Sequence, residues 1–391
     1  MTMRHLQPGG RGYLMVNAHP AGAAATVGRT WEELPATPPA DRAPVVLVIG
    51  SSAGYGLAAV LAAARHGATG VGIALEAPET PRRTASAGWY RTAAMAELTG
   101  GWSYLNADAF SDTAKQDAAK LVADKHGQID YLIYSIAAPR RTDPATGITH
   151  HSVIKPLGGD YTAKTLELTA DGTAIGSSTL AAATSEERDS TVQVMGGTDW
   201  QLWIDHLSQA RLLSDSFTTA ALTYVGSDLT AAIYREGTIG AAKKHLEATA
   251  GHLDARLGPR GRAFTVVAGA AVTQASTAIP SIALYTSILR RVLGGNFQSA
   301  ARQMTVLWAQ LTGQQPLTVD NAGRIRLDGW ELDPAVQAQV RAAWNSITTG
   351  TAAQVADPDW FREQIGWLYG WRVPEVDYDC PAETTVPWPA G

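Results

Sequence analysis

Val45-Val46-Leu47-Val48-Ile49-Gly50-Ser51-Ser52-Ala53-Gly54-Tyr55-Gly56-Leu57 decides how the rest of the chain is read. Its first five residues are apolar and mostly β-branched, the pattern of a short strand covered on both faces. Gly50 interrupts that run, and the alanine-rich stretch Leu57 to His66 then reads as a helix that stops at Gly67. Glycines in the order G-x-x-x-G-x-G between strand and helix permit a tight turn and a close approach of backbone to a pyrophosphate. The helix that follows offers free N–H groups and the positive end of its dipole. A turn made glycine-rich only for packing is the alternative, but the strand before it and the helix after it favour the phosphate reading.

Outward from this stretch the alternation repeats. A strand is predicted near Thr69 to Glu76, a helix around Trp89 to Leu98, a strand near Ser103 to Asp108, a helix over Asp112 to His126 and a strand over Ile129 to Ala137. Four strands alternating with helices imply an α/β fold, a Rossmann-type doubly wound parallel sheet with right-handed crossovers. Regularity lapses between about Pro139 and Arg211, read as an insertion that includes a small β-hairpin across Ala170-Asp171-Gly172. It resumes with a strand over Thr219 to Tyr224, a helical stretch after Leu229, a strand over Ala263 to Val267, and a helical C-terminal region beyond Pro280. Ahead of the first strand, residues 31–44 carry four prolines and read as extended. The expected organisation is a lead-in over 1–44 packed on the core, one enlarged catalytic domain over 45–370, and a tail over 371–391.

Composition sets the outer limits. Of 391 residues, 45% are hydrophobic and 17% charged, enough for a large core. A net charge of -5 provides no general attraction for nucleic acid or an anionic membrane surface, so neither is expected as a partner. The only cysteine, Cys380, excludes an intramolecular disulfide and a cysteine-based metal cluster, and no metal is expected. The N-terminus lacks the apolar h-region of a secretory signal, and no stretch reaches the 18 or so apolar residues of a transmembrane helix. A cytoplasmic location is the expectation.

Two further features carry chemistry. Glu76 stands twenty residues after Gly56, where an acidic side chain can accept hydrogen bonds from the adenosine ribose and repel a 2'-phosphate, which predicts NADH over NADPH. A solvated glutamate is the bland alternative. Asp108 is placed to touch the adenine amino group, and Ile136-Ala137 to line the path to the nicotinamide. Downstream, Tyr234 precedes Lys243 by nine positions. A phenol titrating near pH 10 remains a proton donor at neutrality, and a nearby ammonium favours the phenolate left after donation. Nine steps of about 100° set the two side chains on opposite faces of a regular helix. Either Tyr234 lies before the helix, or Gly237 and Gly240 distort its first turn. Spacing alone leaves the pair no better than a core tyrosine and a solvated lysine.

With these residues assembled, the chain resembles the FabV-type trans-2-enoyl-thioester reductases, a branch of the short-chain dehydrogenase superfamily. The resemblance spans about residues 11 to 370 and rests on Arg11-Gly12-Tyr13, His19-Pro20, Ala87-Gly88-Trp89-Tyr90, Asp108-Ala109-Phe110-Ser111, Tyr134-Ser135 and Lys155-Pro156. Met195-Gly196-Gly197, Asp199-Trp200, Thr273-Gln274-Ala275-Ser276, Ala278-Ile279-Pro280 and Trp330-Glu331-Leu332 extend it. It implies NADH-dependent reduction of the C2–C3 double bond of an enoyl thioester in fatty acid biosynthesis, on coenzyme A or acyl carrier protein. It further implies Tyr234 as proton donor with Lys243, and Tyr224 at the substrate. Cofactor contacts are implied at Gly50, Ser51, Ser52, Ala53, Gly54, Tyr55, Leu75, Glu76, Asp108, Ala109, Ile136, Ala137, Lys243, Ala271, Val272 and Thr273.

The chain departs from the pattern in three places. Ser51-Ser52-Ala53 stands for Ala-Ser-Ser. Arg235-Glu236 stands where a tryptophan and histidine are usual, and Ala231-Ala232 where tryptophan-proline is, which puts acyl specificity in question. Residues 371–391 extend past the usual end as a docked or mobile tail. Two rivals share the residues: a ketoreductase of the same superfamily and a catalytically silent NADH-binding sensor. Carrier, chain length and oligomeric state stay open, a monomer being the simplest case.

Overall fold

The computed structural model describes residues 3–11, 13–36, 42–169, 172–274 and 279–389. Strand β1 (Val45–Ile49) is buried at every position, as an apolar run covered on both faces requires. It lies inside a seven-stranded sheet with β2 (Thr69–Ala74), β3 (Trp102–Asn106), β4 (Ile129–Tyr134), β5 (Leu213–Thr223), β6 (Gly261–Val267) and β7 (Ile325–Arg326). The spatial order is β7-β6-β5-β4-β1-β2-β3, and every pairing is parallel. This is the Rossmann order with one strand added at the far edge, and it places the topological switch between β1 and β4.

Alternate side chains of β1 enter two cores, following the period of two along a strand. Val46 and Val48 pack with α2 (Gly54–Arg65) and α9 (Ala300–Leu311) on one face, and α1 (Pro20–Glu33) and α3 (Ala87–Leu98) join this layer through Val27 and Met95. Leu47 and Ile49 pack with α4 (Asp112–Lys125), α6 (Thr198–Gln209) and α7 (Thr238–Leu257) on the other. A third cluster lies beyond the carboxyl ends of the strands. It joins α8 (Pro280–Leu293), α10 (Pro334–Ser346) and the hairpin formed by Tyr161–Thr169 and Gly172–Leu180, with α5 (Ser185–Met195) reaching it through Met195. That hairpin is paired from Tyr161↔Leu180 to Thr169↔Gly172; its turn residues, Ala170 and Asp171, lie outside the described residues.

Three expectations need correction. The lapse over 139–211 is only partly an insertion, because α6 is the crossover between β4 and β5 and buries Trp200, Trp203, Ile204 and Leu207 against the sheet. Its start at Gly196-Gly197 masked the periodicity. The lead-in is not extended throughout, since residues 31–33 end α1. The alanines after Pro20 carry that helix, and His19 caps it by accepting from the Gly22 N–H at 3.2 Å. Residues 37–41, with two of the prolines, lie outside the described residues. Finally, no helix follows Leu229 directly: residues 228–236 form turns and α7 begins at Thr238.

The tail is docked. Ala382–Glu383 pairs antiparallel with Met3–Arg4. Trp388 Nε1 donates to the Tyr104 carbonyl at 2.8 Å, Trp89 Nε1 donates to that of Val386 at 2.8 Å, and the two indoles meet edge to face. Among the described residues, no helix is long and apolar enough to cross a membrane and no histidine, cysteine or carboxylate cluster could hold a metal ion.

Candidate active site

Two glycines of the loop after β1, Gly50 and Gly56, are required by contact. Gly50 has φ +89°, and a Cβ there would stand 2.4 Å from the Ser135 carbonyl oxygen, on the neighbouring strand's exit. A Cβ on Gly56 would stand 1.9 Å from the Gly50 oxygen, so α2 can start this close to the turn only with glycine. No side chain caps α2 at Ala53, which leaves its first N–H groups for a ligand. Ser51 Oγ is buried without a hydrogen-bond partner among the described residues. Thr273 Cγ2 lies 3.4 Å from where a Gly54 Cβ would be, so the segment holding Ala271, Val272 and Thr273 crosses the loop. Ala275, Ser276 and Ala278, which follow it, lie outside the described residues. From behind, Arg91 Nε donates to the Ser52 carbonyl at 2.9 Å, and the Tyr55 hydroxyl donates to that of Gly269 at 2.5 Å. A cradle closed to any Cβ, an uncapped helix and an orphaned hydroxyl together fit a dinucleotide pyrophosphate.

Leu75 and Glu76 sit just past the end of β2. Leu75 is exposed, while the Glu76 carboxylate accepts from Ser52 Oγ at 2.5 Å and from Ser86 Oγ. Asn106 holds the Glu76 backbone through both amide groups, and Gly88 leaves room for the carboxylate: a Cβ there would fall 1.9 Å from Oε1. Asp108 is exposed just beyond β3 and accepts from the Phe110 N–H at 3.0 Å. Ala109 is buried beside it, its carbonyl taking Lys115 Nζ and Trp203 Nε1.

Next to the loop opens a cavity of about 600 Å³ whose walls include Tyr55, Ile136, Ala137, Ala271, Thr273, Tyr224, Tyr234 and Lys243. The difficulty posed by nine-residue spacing is resolved by the first of the two alternatives. Tyr234 lies in the turn before α7, its N–H bonded to the Thr230 carbonyl at 3.1 Å, while Lys243 lies within the helix. The start of α7 is pinned by the distant segment 153–156: the Thr238 hydroxyl donates to the Val153 carbonyl at 2.6 Å, and the Thr238 N–H to that of Lys155 at 3.0 Å. Arg235 forms a two-pronged ion pair with Glu247 at 2.8 and 3.1 Å, fastening the turn to α7 one helical turn past Lys243.

The electrostatics of the cavity follow from burial. Lys243 Nζ reaches the Leu222 carbonyl at 3.3 Å, and burial lowers its pKa to about 8, opposed by the Glu247 charge. Burial raises the Tyr234 phenol, with the Glu331 charge adding to it. Its hydroxyl has no hydrogen-bond partner among the described residues, and its ring meets that of Tyr224 edge to face at 4.7 Å. Buried, unpartnered hydroxyls of Thr223 and Thr286 also line the cavity.

Two residues of this site were not singled out from sequence. Ser86 was hidden by lying outside every motif. Glu331 stands in Trp330-Glu331-Leu332, where a carboxylate reads as solvated; it is instead fully buried and accepts from Tyr224, Tyr285 and the Ala270 N–H.

A parallel sheet in this order, with its cradle and cavity both beyond the carboxyl ends of the strands, defines a dinucleotide-dependent oxidoreductase of Rossmann type. Comparison with known proteins narrows the class. Residues 83–312 match the trans-2-enoyl-CoA reductase catalytic region, and residues 5–81 its NAD(P)H binding domain. A curated enoyl-[acyl-carrier-protein] reductase [NADH] of Streptomyces avermitilis is 53% identical, covering 98% of this chain and 100% of its own. The trans-2-enoyl-CoA reductase of Treponema denticola, solved with NAD, is 36% identical with a TM-score of 0.90, covering 96% of this chain and 97% of that one. That of Clostridium acetobutulicum, solved with NADH, is 32% identical with a TM-score of 0.91 and the same coverage. The chain belongs to the trans-2-enoyl-CoA and enoyl-[acyl-carrier-protein] reductase family.

Residues 319–381 match a region described as an enoyl reductase FAD binding domain, so the family likeness continues past residue 370. Those residues do not fit a flavin cradle. Gly323, Gly329 and Gly350 meet open space, whereas Gly366 and Gly370 are closed by protein backbone, and no strand-to-helix glycine loop occurs there among the described residues. The segment supplies β7 to the shared sheet and Glu331, which lies behind the cavity wall and accepts from the Tyr224 hydroxyl.

Proposed function

We propose that this protein reduces the C2–C3 double bond of trans-2-enoyl thioesters with NADH, as a cytoplasmic enzyme of fatty acid biosynthesis. NADH supplies the hydride when bound. The observation that carries the reading is the convergence of Tyr234 and Lys243 on one cavity beside the phosphate loop, despite a spacing that a regular helix would not allow.

Each residue then has a physical task. The Gly50–Tyr55 loop and the start of α2 hold the pyrophosphate, Glu76 takes the adenosine ribose hydroxyls, and Asp108 and Ala109 border the adenine. Ile136, Ala137 and the segment Ala271 to Thr273 position the nicotinamide end. Reduction at C3 moves negative charge onto the thioester oxygen, and a donor aimed there stabilises the transition state more than the ground state. The unpartnered hydroxyl of Tyr234 is that donor. Lys243 holds the nicotinamide ribose and, as a cation, eases development of charge on Tyr234. Tyr224 orients the thioester. The apolar walls, among them Ile154, Leu180, Met195 and Ile279, suit an acyl chain and exclude water.

Both coenzyme A and acyl carrier protein present the same thioester arm, and acyl carrier protein is the carrier assigned here because the Streptomyces relative bears that name. NADH oxidation against a series of enoyl thioesters on both carriers tests the reading. Turnover on acyl carrier protein at least matching that on coenzyme A is expected; oxidation with acetoacetyl but not crotonyl thioester would establish a ketoreductase instead.

A further inference from the structure

Glu331 is fully buried, and three donors converge on its carboxylate. The Tyr224 and Tyr285 hydroxyls both reach Oε1 at 2.7 Å, and the Ala270 N–H reaches Oε2 at 2.5 Å. The titratable groups that bear on it are Tyr224 after β5, Tyr285 on α8, Tyr234 in the turn before α7, Tyr55 on α2 and, on its own segment, Asp328. Asp328 is itself paired with Arg326 at 2.7 Å.

A phenol has one proton to give. While Glu331 is ionised, Tyr224 gives that proton to Oε1 and offers the cavity only lone pairs. Protonation of Glu331 reverses the arrangement. The Ala270 N–H keeps Oε2 an acceptor, so the acid proton sits on Oε1. Gln337 Nε2 donates to the Tyr285 hydroxyl at 3.1 Å and occupies a lone pair there, which favours Tyr285 as a donor towards Oε1 over an acceptor from it, with the Ser227 hydroxyl as its other neighbour. The acid proton is therefore left for the Tyr224 oxygen, and the Tyr224 proton turns to the cavity.

We infer that Glu331 is a positioning residue that sets the direction of the Tyr224 hydroxyl, and that its acid form arms Tyr224 as a second donor to the thioester oxygen beside Tyr234. Only hydrogen bonds are exchanged; the Glu331 and Tyr224 protons each stay on their own oxygen. The inference deepens the enoyl reductase reading and rests on it. Burial pushes the Glu331 carboxyl up to about 7, against the opposing pull of its three donors, so the change falls near neutrality.

The sign is set by the raised value: the acid form is present below about 7 and is lost as pH rises through it. In the NADH-loaded wild type, kcat/KM for an enoyl thioester should fall about tenfold between about pH 6 and about pH 8 from this group alone. Deprotonation of Lys243 adds about twofold at the upper end in every variant. In Glu331→Gln the Ala270 N–H demands the amide oxygen, so the NH2 faces both tyrosines and Tyr224 stays armed; the tenfold component should vanish. Tyr285→Phe removes a donor that stabilises the ionised form, and the descending limb should move to higher pH, a readout independent of whether the Gln variant folds. NADH titration checks the folding of both. Infrared difference spectra should show a carboxylic acid carbonyl band that bleaches through about pH 7 in the wild type and is missing from Glu331→Gln. A Gln variant with the wild-type tenfold fall, or a wild type without that band, would overturn the inference. A wild type that shows the band but turns over no enoyl thioester would overturn the reading it rests on and leave the hydroxyl switch standing.

Discussion

Tyr234→Phe and Tyr224→Phe delete chemically identical hydroxyls from rings whose centroids are 4.7 Å apart, yet the two losses should differ in what they do to stability. Phenylalanine at 234 keeps the edge-to-face contact and removes a hydroxyl that has no partner among the described residues, so no hydrogen bond is lost and stability should not fall. Turnover should fall about 100- to 1000-fold, the loss observed when one donor to a developing oxyanion is removed. At 224 the hydroxyl donates to Glu331 at 2.7 Å. Above about pH 7, where that carboxyl is ionised, a hydrogen bond to a charged group is worth roughly 1.5–3 kcal/mol, and below it roughly 0.5–1.5 kcal/mol. The 224 variant should therefore melt below the wild type, by more at about pH 8 than at about pH 6. Thermal unfolding at both pH values, NADH titration and crotonyl thioester turnover on each variant form the assay. A Tyr234→Phe protein that melts as low as Tyr224→Phe, or that turns over like the wild type, would refute the division of labour.

Two further outcomes are expected. Glu76→Gln removes a negative charge beside the proposed adenosine ribose site; two like charges about 4 Å apart repel by roughly 1–4 kcal/mol, so the kcat/KM ratio of NADPH to NADH should rise at least about fivefold. An unaltered ratio would move cofactor discrimination elsewhere. For the Arg235–Glu247 pair, whose side chains are 30% and 16% exposed, a double-mutant cycle of Arg235→Met and Glu247→Gln should give a coupling of about 1 kcal/mol in activation free energy, about fivefold in kcat. The single losses are softened because Arg324 also contacts Glu247 at 3.4 Å; strictly additive effects would mean that the pair does not hold the turn.

The elements that could be read from sequence are those whose signal is local. Strands β1 to β4 are mostly apolar runs closed by glycine or by polar residues, and the loop between β1 and α2 carries Gly50 and Gly56 because a Cβ would strike neighbouring backbone, and Gly54 for its φ of +53°. What could not be read is set by distant contacts. Strand β7 spans two residues, Ile325 and Arg326, too few for a period to show. The start of α7, which decides whether Tyr234 and Lys243 share a cavity, is fixed by Thr238 meeting Val153 and Lys155 some 85 and 83 residues away. Glu331 gains its meaning from Tyr224 and Tyr285, 107 and 46 residues distant, and its immediate neighbours Trp330 and Leu332 do not reveal it.

The departure at Arg235 is explained by the same long-range geometry. Arginine in place of an aromatic after the proposed donor Tyr234 raised a question about acyl specificity, but Arg235 is not among the described residues that line the cavity. Its guanidinium turns to Glu247, and Glu247 also receives Arg324, which binds Asp320; Arg326 joins Asp320 to the buried Asp328. The Glu331 N–H bonds to the Asp328 carbonyl at 3.0 Å. One ionic chain thus runs from the residue after Tyr234 to the segment that presents Glu331 to Tyr224. Such a chain fixes the turn and the carboxylate against the same helix, so the two tyrosines keep their mutual orientation without the bulk of an aromatic. Arginine at 235 accordingly bears on the mutual orientation of Tyr224 and Tyr234 rather than on the lining of the cavity.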